Sequence, residues 1–252
     1  MIERKDEGSV AVLSIAHGAV NVMDIELVRA VADTFRELAA DPPGAVVLTG
    51  SGKAFSAGVD LRRFLEGGAA YVAEFMPALS DAFYEVFTFG APLVAAVNGH
   101  AIAGGCVLAA CADVRLMAAG KGRIGVPEIK VGVAFPRVAL DVMVYALGEQ
   151  TAALLVRGAE NHPPERALEL GIVDGVVEPD HLVRRAVELA AEMADSIPAD
   201  TFALTKRQLR RATVERMNTY RVEEDADVAA IWTRRSQDGW VKAYLDAATG
   251  KG

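Results

Sequence analysis

The 252-residue chain has only two cysteines, Cys106 and Cys111, five positions apart in an apolar run. That excludes a disulfide framework and reads as two buried thiols in a reducing compartment. Histidine is scarce as well. His17, His100, His162 and His181 show no metal-ligand spacing, and neither cysteine joins one to make a zinc pattern. No GxSxG elbow and no GxxxxGK[ST] loop is present, which sets aside serine-hydrolase and phosphate-loop chemistry. No charged-then-apolar leader follows Met1. The longest uncharged stretch, Val86–Ala112, is broken by Pro92, Asn98-Gly99-His100 and Gly104-Gly105, so it is ill suited to span a bilayer. Basic residues are outnumbered, 26 against 34, for a net charge of −8. That balance argues against general nucleic-acid or anionic-membrane binding, and an anionic substrate would have to meet local basic groups. The expectation is a soluble, cytoplasmic protein. At 52% apolar residues, its core needs no metal or disulfide.

What is present alternates. Ile2–Lys5 and Val10–Ile15 read as a hairpin around Asp6-Glu7-Gly8. Asp24 stands at an N-cap position ahead of Leu27, Val28, Val31, Phe35 and Leu38 at helical spacing. Ala45–Thr49, Leu93–Val97 and Val114–Met117 are short apolar runs suited to buried strands. Between them Tyr71–Phe89 reads as a helix broken or kinked near Pro77, and Gly104–Cys111 as a small-residue helix. This order predicts an α/β fold with crossovers over a mainly parallel core. Beyond Phe135 the pattern turns helical, with Gly171–Val177 as an extended interruption. Asp200–Asp246 reads as one helical appendage, with Phe202, Leu209 and Ala212 on one side and Val214 off that stripe.

Three segments carry candidate chemistry. Lys53–Leu61 follows a buried strand and is rich in small residues, which lets a backbone approach a ligand closely. Asn98–Cys106 also follows a strand, and its Gly104-Gly105 opens a helix with unpaired backbone donors. Glu128 is a carboxylate among apolar neighbours, where desolvation would raise its pKa toward neutrality. Taken singly, each has an ordinary reading: a strand-to-helix turn, close helix–strand packing, and a surface glutamate paired with Lys130 or Arg123.

Together and in this order, AFSAGVDL (Ala54–Leu61), NGHAIAGGCVLAACADVRL (Asn98–Leu116), PEIKVG (Pro127–Gly132) and ALELGIVDGVV (Ala167–Val177) resemble the crotonase family, the enoyl-CoA hydratases and isomerases. The likeness runs from about Val10 to the C-terminus. It implies a crotonase-like ββα spiral over residues 1–196 and a helical trimerisation region over 197–252. It also implies an acyl-CoA thioester substrate, so that coenzyme A arrives with the substrate and no separate cofactor or metal is expected. By motif position, the backbone N–H groups of Ala57 and Gly104 would hold the thioester oxygen. Ser56, Ala57, Gly58, Val59, Asp60, Leu61, Gly104 and Gly105 would contact the substrate, with Lys53, Arg62 and Arg63 near the CoA phosphates. Glu128 would be the catalytic acid–base group.

One departure bears on the subfamily. The hydratases' other catalytic glutamate maps onto Val107, which cannot activate water. Gly18-Ala19-Val20-Asn21-Val22-Met23 and Glu224–Val228 look like the mitochondrial-type 3,2-enoyl-CoA isomerases, and isomerisation needs only one base. Three alternatives remain open. The first is a hydratase in which Asp141 or a residue of Tyr71–Phe89 supplies the water. The second is an RNA-binding relative using Lys206, Arg207, Arg210, Arg211, Arg216 and Arg221. The third is a catalytically silent scaffold. A homotrimer or hexamer is expected, with no nucleic acid and no membrane as partners.

Overall fold

The computed structural model describes residues 1–248; the last four positions of the predicted 197–252 region lie outside the described residues. The chain opens with the hairpin β1 (Ile2–Glu7) and β2 (Val10–Ile15), followed by α1 (Ile25–Ala40). The Asp24 carboxylate caps α1 by accepting from the Leu27 N–H at 2.8 Å, as the sequence predicts. Three ββα units follow. They are β3 (Ala45–Gly50), β4 (Ala54–Ser56) and α2 (Leu61–Thr88); β5 (Leu93–Val97), β6 (His100–Ile102) and α3 (Gly104–Ala110); and β7 (Val114–Ala118), β8 (Ile124–Gly125) and α4 (Glu128–Val131).

The first strand of each unit joins one sheet and the second joins another. β2, β3, β5 and β7 pair in parallel, with β1 at one edge and β10 (Gly175–Val177) at the other. β4, β6 and β8 form a smaller sheet completed by β9 (Asn161–His162). This is the predicted ββα spiral. Both faces of the central strands are covered, which is why β2, β3 and β5 are largely apolar runs, whereas the edge strand β1 is charged and mostly exposed. Val12, Val47, Val94 and Leu116 pack on Leu182, Ala186 and Ala190 of α8 (Leu182–Ser196). Leu13, Leu48 and Ala95 face the main core with Val28, Phe35 and Val86 of α1 and α2.

α2 differs from the expected helix. It begins at Leu61, where the Asp60 carboxylate caps the N–H groups of Arg62 and Arg63 at 3.0 and 3.1 Å. Its break falls at Gly68 (φ 54°, ψ −143°), a conformation that favours glycine, whereas Pro77 lies inside the helix without interrupting it. After α5 (Arg137–Leu147), α6 (Glu149–Gly158) and α7 (Pro164–Glu169), the chain leads through α8 into α9 (Ala199–Arg235) and α10 (Trp240–Ala248). The single predicted appendage is therefore two helices, divided by a turn at Gly239, whose φ is 83°.

The predicted stripe on α9 is also wrong. Leu209 is 67% exposed and Ala212 is exposed, while Lys206, Arg210, Thr213, Met217, Val228 and Trp232 are buried. The reason is a charge from a distant strand. Asp113, just before β7, accepts from Lys206 at 2.6 Å and from Arg210 at 2.8 Å, so two cations form the inward face. Met217, Val228, Trp232 and the α10 residue Val241 join the main core, so much of the appendage is covered by its own chain.

Candidate active site

The segment Ser56–Leu61 is stitched to residues 20–24. Asn21, fully buried, donates its amide to the carbonyls of Ala54 (2.9 Å) and Phe55 (3.3 Å) and accepts from the His17 N–H at 2.9 Å. The Ser56 hydroxyl returns a bond to the Asn21 carbonyl at 2.7 Å. Ala57 N–H donates to the Val20 carbonyl at 3.0 Å, Met23 N–H to the Gly58 carbonyl at 2.8 Å, and Asp60 N–H to the Met23 carbonyl at 3.0 Å. These bonds leave the Val59 N–H without a partner among the described residues. Gly58, at φ 81°, lies so close to the next loop that a Cβ there would sit 2.6 Å from the Ile102 carbonyl oxygen. That contact locks the Val59 loop against the start of α3.

At that start Ala103 holds φ 53° and ψ −123°, a strained geometry for a residue with a Cβ. The turn places Gly104 at the first position of α3, where a helix has no internal acceptor for its N–H. Val59, Gly104 and Ala57 all border one cavity of about 120 Å³. Leu61, Leu79, Phe83, Ile102, Val107, Val131 and Phe135 make up much of the wall, and Trp232 and Tyr244 close it from the C-terminal helices.

Glu128 enters this cavity from the first turn of α4. It is 8% exposed, and its Oε2 is buried with no hydrogen-bond partner. Burial pushes its pKa up to about 8, opposed only by its own backbone N–H. Val107 stands in the same wall, fully apolar and buried. Among the described residues the lining therefore offers one carboxylate and one hydroxyl, the latter from Tyr244.

Several predicted roles change. Ala57 cannot offer its N–H to a ligand, because Val20 holds it. Ser56 and Gly105 are buried away from the cavity wall, and a Cβ on Gly105 would meet the Ser56 carbonyl oxygen at 2.4 Å. They support the two loops and are not part of the cavity lining. Gly58 is buried in the same way, and the Asp60 carboxylate caps α2. Arg63 is held by Glu26 and lies 3.3 Å from Asp24, whereas Lys53 and Arg62 are exposed and form no ion pair among the described residues. Asn21 was missed as a site residue. Its signal was a polar side chain at a turn directly ahead of a helix cap.

The open alternatives narrow on geometry. Asp141 is fully buried and bonded to Arg137 and Arg216, outside the cavity, so it cannot serve a water there. From α2 only Leu61, Leu79 and Phe83 reach the cavity, and none is ionisable. Of the basic residues proposed for RNA, Lys206 and Arg210 turn inward to Asp113, Arg216 pairs with Asp141 and Arg221 with Asp81. Among the described residues no helix is long and apolar enough to cross a membrane.

Residues 5–246 match the model of the enoyl-CoA hydratase/isomerase family. The chain is 27% identical over 249 residues to the mitochondrial enoyl-CoA delta isomerase 1 of Rattus norvegicus, covering 98% of this chain and 86% of that one. It is 37% identical over 193 residues to a putative enoyl-CoA hydratase of Thermus thermophilus, covering 75% of each. Among solved structures, human mitochondrial delta3-delta2-enoyl-CoA isomerase superposes with a TM-score of 0.89 at 28% identity, over 99% of this chain and 98% of that one.

Proposed function

The chain belongs to the enoyl-CoA hydratase/isomerase family, and on that premise we propose that it moves the double bond of 3-enoyl-CoA thioesters to the 2-position, in fatty-acid degradation. The observation that carries this reading is a cavity with a single carboxylate among the described residues, Glu128, and with Val107, Leu79 and Phe83 in its wall. Adding water needs a second group to position and activate it. Moving a double bond needs one base that takes a proton from one carbon and returns it to another.

The chemistry follows from those groups. The Glu128 carboxylate takes a proton from C2, and the freed electron pair spreads over C1–C4 and the thioester oxygen as a dienolate. That oxygen accepts from the N–H groups of Val59 and Gly104, which replace the Ala57–Gly104 pair expected from motif position. Protonated Glu128 then delivers the proton to C4, leaving the double bond between C2 and C3. A base with a pKa of about 8 is well matched to both transfers near neutral pH. Fixed donors aimed at a developing oxyanion are worth roughly 10²–10³ in rate each.

The CoA portion is read as lying along the Ala57–Leu61 backbone, with Lys53 and Arg62 as its phosphate partners. Leu204, Leu209, Tyr220 and Val222 of α9, exposed on this chain, suit burial in a homotrimer or hexamer. The test is turnover of 3-hexenoyl-CoA against crotonyl-CoA by the purified protein. Conversion of the first, lost by about 10²–10⁴ in Glu128→Gln, supports isomerisation. Hydration of crotonyl-CoA without conversion of 3-hexenoyl-CoA overturns it.

A further inference from the structure

Three C-terminal side chains grip the loop that carries Glu128, each on alternate carbonyls. Trp240 Nε1 donates to Lys130 at 3.2 Å, Arg235 Nε to Gly132 at 2.9 Å, and Trp232 Nε1 to Ala134 at 2.9 Å. The indole of Trp240 also lies against Gly132, where a Cβ would sit 2.6 Å from its ring. Tyr244 is one helical turn beyond Trp240 and so shares its face of α10. With Trp240 pinned to the Glu128 loop, Tyr244 is carried into the cavity wall. Glu128 Oε2 is buried without a partner, and among the described residues the Tyr244 hydroxyl forms no hydrogen bond.

We propose that Tyr244 is a positioning residue whose hydroxyl donates to the Glu128 carboxylate, fixing which oxygen faces the substrate and stabilising its charged form. The assignment rests on the isomerase reading for its catalytic meaning. Burial, and after it the Glu128 charge, disfavours ionisation of Tyr244, so the phenol stays a donor across the working range.

The other groups facing Glu128 do not compete for the role. Cys106 of α3 is kept protonated by burial and by the Glu128 charge. Lys130, on the same short helix, points to solvent, and Arg235 is held by Gly132 and Asp238. α2 and α5 present only apolar residues to the cavity, and Trp232 of α9 spends its N–H on Ala134.

The test is Tyr244→Phe, which keeps the ring in the wall and removes only the hydroxyl. Two measurements are paired: the pH dependence of kcat on 3-hexenoyl-CoA, and the ¹³C carboxyl titration of Glu128 with saturated butyryl-CoA bound. The Glu128 resonance is assigned by its loss in Glu128→Gln. Removing a donor to a carboxylate raises its pKa, so both titrations should move to higher pH, lowering kcat at pH 7 by about 3–10-fold with KM little changed. If both stay at the parent position, Tyr244 is only cavity wall and the proposal is overturned, whatever happens to KM. If the parent fails to isomerise 3-hexenoyl-CoA, the functional reading falls. The Glu128 resonance then still decides the role of Tyr244.

Discussion

Ala57 and Val20 share a backbone hydrogen bond of 3.0 Å, and that bond decides which amide is left to face the Glu128 cavity. Two residues on, the Val59 N–H has no partner among the described residues, and Val59 borders the same cavity as Gly104. Replacing single residues by their α-hydroxy acid analogues, which exchange N–H for an ester oxygen, separates the two positions. The ester at Val59 should lower kcat by roughly 10²–10³ while leaving the unfolding midpoint almost unchanged. At Ala57 the ester should cost about 1 kcal/mol of stability and little rate. Equal rate losses at both positions would contradict the assignment of Val59.

Ala103 stores backbone strain beside the same donors. At φ 53° and ψ −123° an alanine is held in a region that glycine occupies freely. Such residues cost on the order of 1–3 kcal/mol, and glycine returns roughly 0.5–1 kcal/mol of that as lost chain entropy in the unfolded state. Ala103→Gly should therefore stabilise the fold by about 1 kcal/mol in urea titration. An unchanged or lower midpoint would show that the alanine Cβ makes compensating contacts.

Asp113 holds two buried cations, and its removal should expose the asymmetry of such clusters. Lys206 donates to Asp113, yet burial outweighs that partner and draws its pKa down to about 8. Lys206→Met removes a costly charge and leaves the Arg210–Asp113 pair intact, so stability should change by less than about 1 kcal/mol. Asp113→Asn instead strands two cations in the interior and should cost roughly 3–5 kcal/mol. Chemical denaturation of both variants at pH 7 checks the order. Comparable losses would mean that Lys206 contributes more than a tolerated charge.

The alternation of strand and helix was legible because the central strands are buried on both faces and the helix caps are local, whereas the spiral itself was implied by the resemblance. Asp24 and the runs Ala45–Thr49, Leu93–Val97 and Val114–Met117 needed no tertiary information. The apolar neighbours of Glu128 raised the prospect of desolvation, but only the four motifs taken in order singled it out from a surface glutamate. What escaped depended on contacts distant in sequence. The inward face of α9 could not be found by counting apolar residues, since Lys206 and Arg210 form it through a carboxylate some ninety positions away. The start of α2 was hidden because Asp60 was read as part of a binding motif, although it is also a helix cap. The exchange of Ala57 for Val59 rests on one backbone bond, and no side-chain pattern encodes it.

Glu128 also ties stability to pH, with a sign opposite to that of a salt-bridged carboxylate. Burial raises its pKa from 4.5 to about 8, so between those values the folded chain holds a proton that the unfolded chain has released. Its contribution is therefore fully present below about pH 4.5 and is lost as pH rises toward 8. Glutamine has no proton to lose and nearly the same shape. Glu128→Gln should match the parent near pH 4.5 and be more stable above pH 8, by on the order of 2–4 kcal/mol. Urea midpoints of the two proteins at pH 5 and pH 8.5 measure this difference directly. A gain of equal size at both pH values would mean that the carboxyl titrates near its ordinary value in the folded chain. A dry, single-base cavity would then no longer account for the site.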